Sequence, residues 1–382
     1  MNKNQHKKAL VFAMTGARAL FGGIANANLN VLQALIEIVN AGNANLMIYS
    51  FLEIENDRPD FVPEGVRFKG FNGNKLRFVV SLLGLTKRRP VFCFDHVRLA
   101  LPLLPLMRGG LIKTVIFAHG SESWKRLRAG NRAAFRSASL CITNSHFTLK
   151  KMREKISKFQ GVACPLGLSP EFPLNIEIPQ KHFSHMELTA ADGRTRTLSN
   201  RIILLVARMD QKEGQKGHRA LINIMPKLLE EFPEAQLVFP GPGDDTRNLQ
   251  KLAESIGIAP SVFLPGFVSA EVLGCLYRRC YMFAMPSKQE GFGLAYLEAM
   301  NYAKPCIGCF NQGAEDVIID GETGFLIHDP NDPAELLRVI RTLLQEPERA
   351  RTFGIAGFNR LHEHFTSSQY QNRVKEQIAK FL

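Results

Sequence analysis

The stretch Pro286-Ser287-Lys288-Gln289-Glu290-Gly291-Phe292-Gly293-Leu294-Ala295-Tyr296-Leu297-Glu298-Ala299-Met300 decides how this chain is read. It sets two carboxylates, Glu290 and Glu298, eight positions apart, with a Gly-Phe-Gly turn directly after the first. Ahead of it, Tyr281-Met282-Phe283-Ala284-Met285 reads as a buried strand; after it, Leu294, Leu297, Ala299 and Met300 recur at helical spacing. The glycines therefore fall at a strand-to-helix turn, where unpaired backbone N–H groups and the positive helix end attract an anion. Glu298 is expected about two turns into the helix, within roughly 12 Å at ~1.5 Å per residue. A pyrophosphate at that turn leaves one carboxylate for hydroxyls on each side, which is the outline of a hexose, a diphosphate and a ribose. Acidic groups near a helix start also occur simply to complement the helix dipole, so the stretch needs support from elsewhere.

At 382 residues the chain is too long for one ordinary core, and two domains of roughly 150–200 residues are expected. A hydrophobic content of 45% and a charged content of 22% describe a globular protein. Lys3, Lys7 and Lys8 precede only the short apolar run Ala9 to Met14, so no secretory signal is read there. The longest uncharged stretch, Ala19 to Ile36, carries Asn26, Asn28, Asn30 and Gln33 and is no transmembrane helix. A cytoplasmic protein is expected. Seven cysteines without framework spacing fit a reducing compartment. Cys306-Ile307-Gly308-Cys309 is formally a CxxC, but it lies in a strand-like run where residues three apart face opposite ways, which favours buried thiols over zinc. The net charge of +13 is uneven: residues 65–165 hold 20 Lys and Arg against Asp95, Glu122 and Glu154. That excess of +17 points to an anionic partner, either a membrane surface, a phosphorylated acceptor or nucleic acid.

Strand-like runs at Leu10–Met14, Leu46–Phe51, Val91–Phe94, Thr114–Ala118 and Leu140–Thr143 alternate with amphipathic helices such as Ile24–Val39 and His146–Lys158. Near Gly167–Asn200 the pattern dissolves into prolines, polar residues, His182 and His185, and reads as a linker. It restarts with Ile202–Val206, helix 217–231, Leu237–Phe239, helix 245–256, Val262–Leu264 and the stretch quoted above. Strands Cys306–Cys309 and Phe325–Ile327 and helices 333–345, 347–364 and 368–381 follow. The fold class is α/β, with two Rossmann-like doubly wound domains facing across a cleft.

Such sheets bind ligands beyond the carboxyl ends of their strands. In the second half those ends carry Arg208, Lys216-Gly217, Gly241-Pro242-Gly243 and Gly266-Phe267; in the first, Gly22-Gly23 and His119-Gly120. Arg208 and Lys216 suit a diphosphate leaving group, and glycine turns let backbone approach a base or phosphate. Any one of these alone is ordinary turn chemistry.

On these residues the chain resembles a retaining glycosyltransferase of the GT-B fold, glycosyltransferase family 4. The E-x7-E pattern matches Glu290 and Glu298, the Arg…Lys-Gly pair matches Arg208 and Lys216-Gly217, and Gly22-Gly23 and His119-Gly120 match first-domain motifs. Asn144-Ser145-His146-Phe147-Thr148 resembles the Ser-x-x-Thr turn, and Asp320-Gly321-Glu322-Thr323-Gly324-Phe325-Leu326 the D-G-x-T-G-x-L stretch. Ala207 stands where the family usually has Gly, the interval Met209 to Gln215 is longer than in many members, and Asn311-Gln312-Gly313-Ala314-Glu315 departs near the donor sugar.

The resemblance implies that Glu290 holds sugar hydroxyls, Glu298 the ribose, and Arg208 and Lys216 the departing nucleoside diphosphate. It implies that Gly241, Gly243, Gly266 and Phe267 border the nucleotide, that Gly291, Phe292, Gly293 and Leu294 meet the sugar or phosphate, that His119 sits beside the donor sugar, and that Gly22 and Gly23 close over phosphates or acceptor. Residues 1–170 would be an acceptor-binding domain and 171–365 a nucleotide-sugar-binding domain, with a final helix at 366–382 packing back on the first. The implied reaction is hexosyl transfer, with retention, from a UDP- or GDP-sugar to a hydroxyl of a saccharide or lipid-linked acceptor in cell-surface polysaccharide or glycolipid assembly. No cofactor besides the donor substrate is implied. No D-x-D metal motif is present, and Asp244-Asp245 reads as a helix cap. A protein peripheral on the inner face of the plasma membrane, through residues 65–165, completes the expectation. Alternatives are a GT-B sugar-nucleotide epimerase, a dinucleotide oxidoreductase, which would need a G-x-G-x-x-G that Gly16 to Gly23 does not provide, and a basic nucleic-acid-binding protein, whose aromatic and glycine pattern is missing.

Overall fold

The computed structural model describes residues 8–18, 22–120, 127–179, 185–211 and 215–382. Lys3, Lys7, His182 and the Lys212-Glu213-Gly214 part of the long interval after Arg208 lie outside the described residues. The chain divides into two compact units, Met1–Phe172 with Phe365–Leu382, and Pro173–His364.

In the first unit, strands β1 (Lys8–Met14), β2 (Ala44–Ser50), β3 (Arg67–Gly70), β4 (Val91–Phe94), β5 (Lys113–Ala118), β6 (Leu140–Thr143) and β7 (Gly161–Ala163) form one parallel sheet in the order β3-β2-β1-β4-β5-β6-β7. Its helices are α1 (Gly23–Asn40), α2 (Lys75–Leu85), α3 (Val97–Ala100), α4 (Leu104–Arg108), α5 (Ala129–Ser137) and α6 (His146–Lys155). Continuous apolar runs such as Leu10-Val11-Phe12-Ala13-Met14 are wholly buried. That is what a parallel strand covered on both faces requires.

In the second unit, β10 (Ile202–Leu204), β11 (Gln236–Pro240), β12 (Val262–Gly266), β13 (Met282–Ala284), β14 (Cys306–Cys309) and β15 (Gly324–Ile327) form a parallel sheet ordered β12-β11-β10-β13-β14-β15. Helices α7 (His218–Glu231), α8 (Thr246–Ser255), α9 (Ala270–Arg279), α10 (Leu294–Met300), α11 (Ala314–Val317), α12 (Pro333–Gln345) and α13 (Pro347–His364) connect them. In both sheets the strand order reverses once, next to β1 and next to β10, and such switch points are where open parallel sheets bind ligands, beyond the strands' carboxyl ends.

Three elements escape the sequence pattern. β3 and β7 are short edge strands whose residues are at most half-buried, so they carry no continuous apolar signal. The segment read as a linker contains an antiparallel hairpin, β8 (Glu187–Thr189) with β9 (Thr195–Thr197). The amide of Ala191 donates to the carbonyl of Val262 at 2.7 Å, strapping this hairpin over the edge strand β12 and blocking further pairing there. The hairpin's strand residues are half or fully exposed and, apart from Leu188, polar, which is why its sequence looks like a loop.

The final helix, α14 (Ser367–Ala379), packs on α1. Thr366 and Gln369 form a reciprocal capping box at its start. Ser367 Oγ donates to Asn30 Oδ1 at 2.6 Å, Gln371 Nε2 to Gln33 Oε1 at 2.6 Å, and Arg373 to the carbonyl of Pro165 at 2.7 Å. Val374 and Ile378 are fully buried beneath these bonds. Ile378→Ala is expected to cost about 2–5 kcal/mol of the first unit's stability. Calorimetric unfolding showing no loss would mean that α14 is not part of that core.

Candidate active site

Strands β10 and β13 are parallel neighbours, with Leu204 opposite Phe283, so the loops beyond their carboxyl ends emerge side by side. The first loop carries Arg208, and the second runs through Pro286 to Gly293. Lys216, from the far end of the first loop, reaches Glu290: Nζ donates to Oε2 at 2.9 Å, and the two side chains are only 22% and 13% exposed. Partial burial makes this pair stronger than a surface ion pair.

Glu290 is also fixed through its backbone. Its amide donates to Gln312 Oε1 at 3.1 Å, and its carbonyl accepts from the amide of Gly313 at 2.8 Å. Gln312 and Gly313 therefore clamp the backbone that carries the first carboxylate. Gly293, at φ +93°, is the N-cap of α10 and, as a glycine, brings no capping side chain to that helix end. Because α10 begins at Leu294, Glu298 lies only about one turn into it, not two.

Glu298 has a different environment. Tyr277 donates its phenol to Glu298 Oε2 at 2.6 Å, and Oε1 accepts no hydrogen bond among the described residues. Desolvation by burial raises the pKa of Glu298, partly offset by this bond. The Tyr277 phenol is raised well above its ordinary value, chiefly by burial, and stays a neutral donor.

Positive charge comes from Arg208, which also lies 3.4 Å from Asp210, and from Lys216. His218, the first residue of α7, does not contribute, because burial depresses its pKa to about 4 and keeps it neutral. Gly241 sits at φ +146°, where a Cβ would meet the carbonyl oxygen of Ala207 at 2.0 Å, so the turns after β10 and β11 touch through backbone. Gly243 and Gly266 occupy the neighbouring turns, and Phe267 beyond β12 is 70% exposed. Asp245 does not cap α8 with its side chain. It receives Arg219 Nη2 and Asn248 Nδ2, each at 2.8 Å, while Asp244 accepts the amide of Gln211 at 2.8 Å. Cys306 and Cys309 are buried thiols of β14, both pushed up by desolvation, Cys309 to about 12.

In the first unit, Gly22 at φ +108° caps α1, whose first residue is Gly23. His119 follows β5 and its ring lies parallel to Phe117 with centroids 6.4 Å apart. Asn144 donates to the His119 carbonyl and accepts from Thr148 Oγ1 at 2.8 Å, so the Asn-Ser-x-x-Thr turn supports the histidine loop. Sequence reasoning missed two carboxylates here. Asp95, after β4, accepts from the Thr15 amide at 2.8 Å, Thr15 Oγ1 at 3.1 Å and Asn28 Nδ2 at 2.8 Å; Glu53 accepts the amides of Ala17 and Arg18. Both are fully buried and hold the turn after β1. Their position just beyond strand ends was the signal that could have found them. Tyr277 was missed as well, and nothing in the pattern marks it; Gln312 was noted only as part of the Asn311–Glu315 stretch, not as a partner of Glu290.

Residues 194–360, which include Arg208, Lys216, Glu290 and Glu298, match the family described as glycosyl transferases group 1. A GDP-mannose-dependent alpha-(1-6)-phosphatidylinositol monomannoside mannosyltransferase of Mycolicibacterium smegmatis is 30% identical over 176 residues, 44% of each chain. The matched stretches span about half or less of the curated relatives' own length. Among solved structures, a sucrose-phosphate synthase from Thermosynechococcus elongatus aligns with TM-score 0.74 at 19% identity, covering 98% of this chain and 99% of that one. Anabaena HepE in complex with UDP and glucose aligns with TM-score 0.72 at 16% identity, covering 98% and 100%. The fold is GT-B, and the matches support a glycosyltransferase.

The raised pKa of Glu298 has a consequence for stability. The native state binds a proton that the unfolded chain releases, so ionising this carboxyl costs stability as pH rises through that window. Glu298→Gln should therefore melt at or above the wild-type temperature at neutral pH, with the difference fading below the ordinary glutamate range. Thermal unfolding at both pH values checks this, and a lower melting temperature at neutral pH would contradict it.

Proposed function

We propose that this chain is a retaining, metal-independent glycosyltransferase of the family 4 type, moving a hexosyl group from a nucleoside diphosphate sugar to a hydroxyl of a saccharide or lipid-linked acceptor. The observation that carries this reading is the pair of differently partnered carboxylates on either side of one loop-to-helix junction. Glu290 is ion-paired at 2.9 Å with a lysine suited to phosphate, and Glu298, about one turn into α10, presents one oxygen that accepts nothing from the described residues. Diphosphate held between Lys216, Arg208 and the backbone amides at Phe292, Gly293 and Leu294 places the sugar toward Glu290 and the ribose toward Glu298. Phe267 and the turns at Gly241, Gly243 and Gly266 then border the base.

Negative charge on the leaving diphosphate grows in the transition state, so cations placed at it act on turnover more than on donor binding. Arg208 and Lys216 fill the place that a metal ion takes in other transferases. The acceptor hydroxyl attacks from the face the diphosphate leaves, and the leaving phosphate takes its proton.

The test is an assay of nucleoside diphosphate release with UDP- and GDP-sugars and candidate acceptors. Arg208→Ala and Lys216→Ala should each lower kcat more than they raise KM. Activity should persist in EDTA, and the new linkage should keep the donor's anomeric configuration. Loss of activity on chelation, restored by magnesium or manganese, would overturn the metal-independent mechanism; inversion would overturn the family assignment.

We further propose that the acceptor is met at an anionic membrane surface. No helix of the described residues is long and apolar enough to cross a membrane. Among the apolar groups near the basic cluster, Phe78, Leu82, Leu103 and Met107 are buried in the core, because they form the inward faces of their helices. The outward face of α2 instead carries Leu76, Val80 and Leu83, 75%, 59% and 42% exposed, at the i, i+4, i+7 spacing of one stripe. Lys75 and Arg77 lie beside it, and Lys87, Arg88 and Arg89 are exposed just past its end. Each basic side chain at such a surface contributes ~1 kcal/mol at moderate salt. Vesicle flotation should show binding to anionic but not neutral lipid, weakened by salt, by Lys87, Arg88 and Arg89 changed to Ser, and by Leu76→Ser with Val80→Ser. Equal recovery on neutral vesicles would overturn the membrane assignment.

A further inference from the structure

We propose that Tyr277 is a positioning residue for nucleotide recognition, holding one oxygen of Glu298 so that the other is aimed at the ribose hydroxyls. The inference rests on the assignment of Glu298 to the ribose and adds the group that makes that carboxylate a directed acceptor. Tyr277 is on α9 and Glu298 on α10, so the bond at 2.6 Å joins two helices. That length is the short range of a hydroxyl donating to a charged carboxylate.

The phenol cannot swing away. Tyr277 is fully buried, its ring stacks on Tyr302 with centroids 5.7 Å apart at 7°, and it meets Phe283 of β13 at 6.1 Å. Arg278 covers the Tyr302 ring at 5.9 Å, so the stack continues to a cation. A carboxylate has two oxygens and about four acceptor positions. With Oε2 occupied by a locked donor, its plane is set, and Oε1 accepts nothing from the described residues. A glutamate lacking this partner would sample several rotamers, and each ribose hydrogen bond would have to order it first.

This predicts a defect confined to the ribose. The probes are whichever of UDP or GDP binds the wild-type chain, together with its 2′,3′-dideoxy counterpart, measured by titration calorimetry. Wild type should prefer the ribonucleotide. Tyr277→Phe should reduce that preference about tenfold, the worth of a hydrogen bond to a charged group, and leave dideoxynucleotide affinity within about twofold. In a Glu298→Gln background the same Tyr277 change should have little further effect, because the two act as one unit. Thermal unfolding establishes that each variant is folded at the assay temperature.

Equal loss of both affinities in Tyr277→Phe, full retention of the preference, or additive effects in the double variant would each overturn the proposal while leaving Glu298 at the ribose. No ribose preference in the wild-type chain would instead overturn the assignment of Glu298, and the role of Tyr277 with it.

Discussion

A parallel strand buried on both faces has no room for polar side chains except past its end, and this constraint organises the molecule. Ile202, Ile203 and Leu204 of β10 and Met282, Phe283 and Ala284 of β13 are wholly buried. Their other neighbours in the sheet lie on opposite sides, so the strand order switches between them, and the two loops that leave this switch point meet through Lys216 and Glu290. Arg208, Lys216 and Glu290 all lie on those two loops, whereas the sheet below them contributes only packing. The first unit repeats the logic: Thr15, Glu53, Asp95, His119 and Asn144 each stand just past a strand of its sheet.

Within the second unit, burial sets the character of each ionisable group. Lys216 and Glu290 lose little by partial burial because each neutralises the other. His218, two residues from Lys216 and without such a partner, is held neutral. Glu298 accepts from a phenol rather than a cation, so its charge is only partly compensated and its pKa rises. Two glutamates on either side of one loop-to-helix junction are thus made unlike by their partners: one is steadied by a charge and the other by a dipole. An uncompensated charge at a partly desolvated position is a cost that a ligand's hydroxyl groups can relieve. Strain of this sort at a crevice is a common mark of a binding site.

Backbone contacts complete the rigidity that such a site needs. Gly241 brings its turn against Ala207, and the Gln312–Gly313 segment grips both the amide and the carbonyl of Glu290. In the first unit the buried carboxylates of Asp95 and Glu53 do the same for residues 15–18, supplying acceptors to amides that no strand pairs. Burial pushes Asp95 up to about 6 in spite of three donors.

Much of this was legible in the sequence, because the signals are local. Continuous apolar runs announce doubly covered strands, 3.6-residue periodicity announces the helices between them, and Glu290, Glu298, Arg208 and Lys216 stand out as polar residues at the ends of such runs. The short edge strands β3 and β7 and the hairpin β8–β9 were not legible, since half-exposed strands carry no continuous apolar stretch. Nor was the choice of Leu76 and Val80 over Phe78 and Leu82 as the exposed face of α2, because a helix apolar on most sides does not say which side finds the core. The sequence by itself determined which elements form and which polar residues sit at their ends. Only the tertiary structure decided that Lys216 meets Glu290, that Tyr277 meets Glu298, and that Asp245 binds Arg219 instead of capping its helix. Those pairings join residues from 21 to 74 positions apart, and it is the packing of helices and loops around the sheet, not any local spacing, that brings them within hydrogen-bond reach.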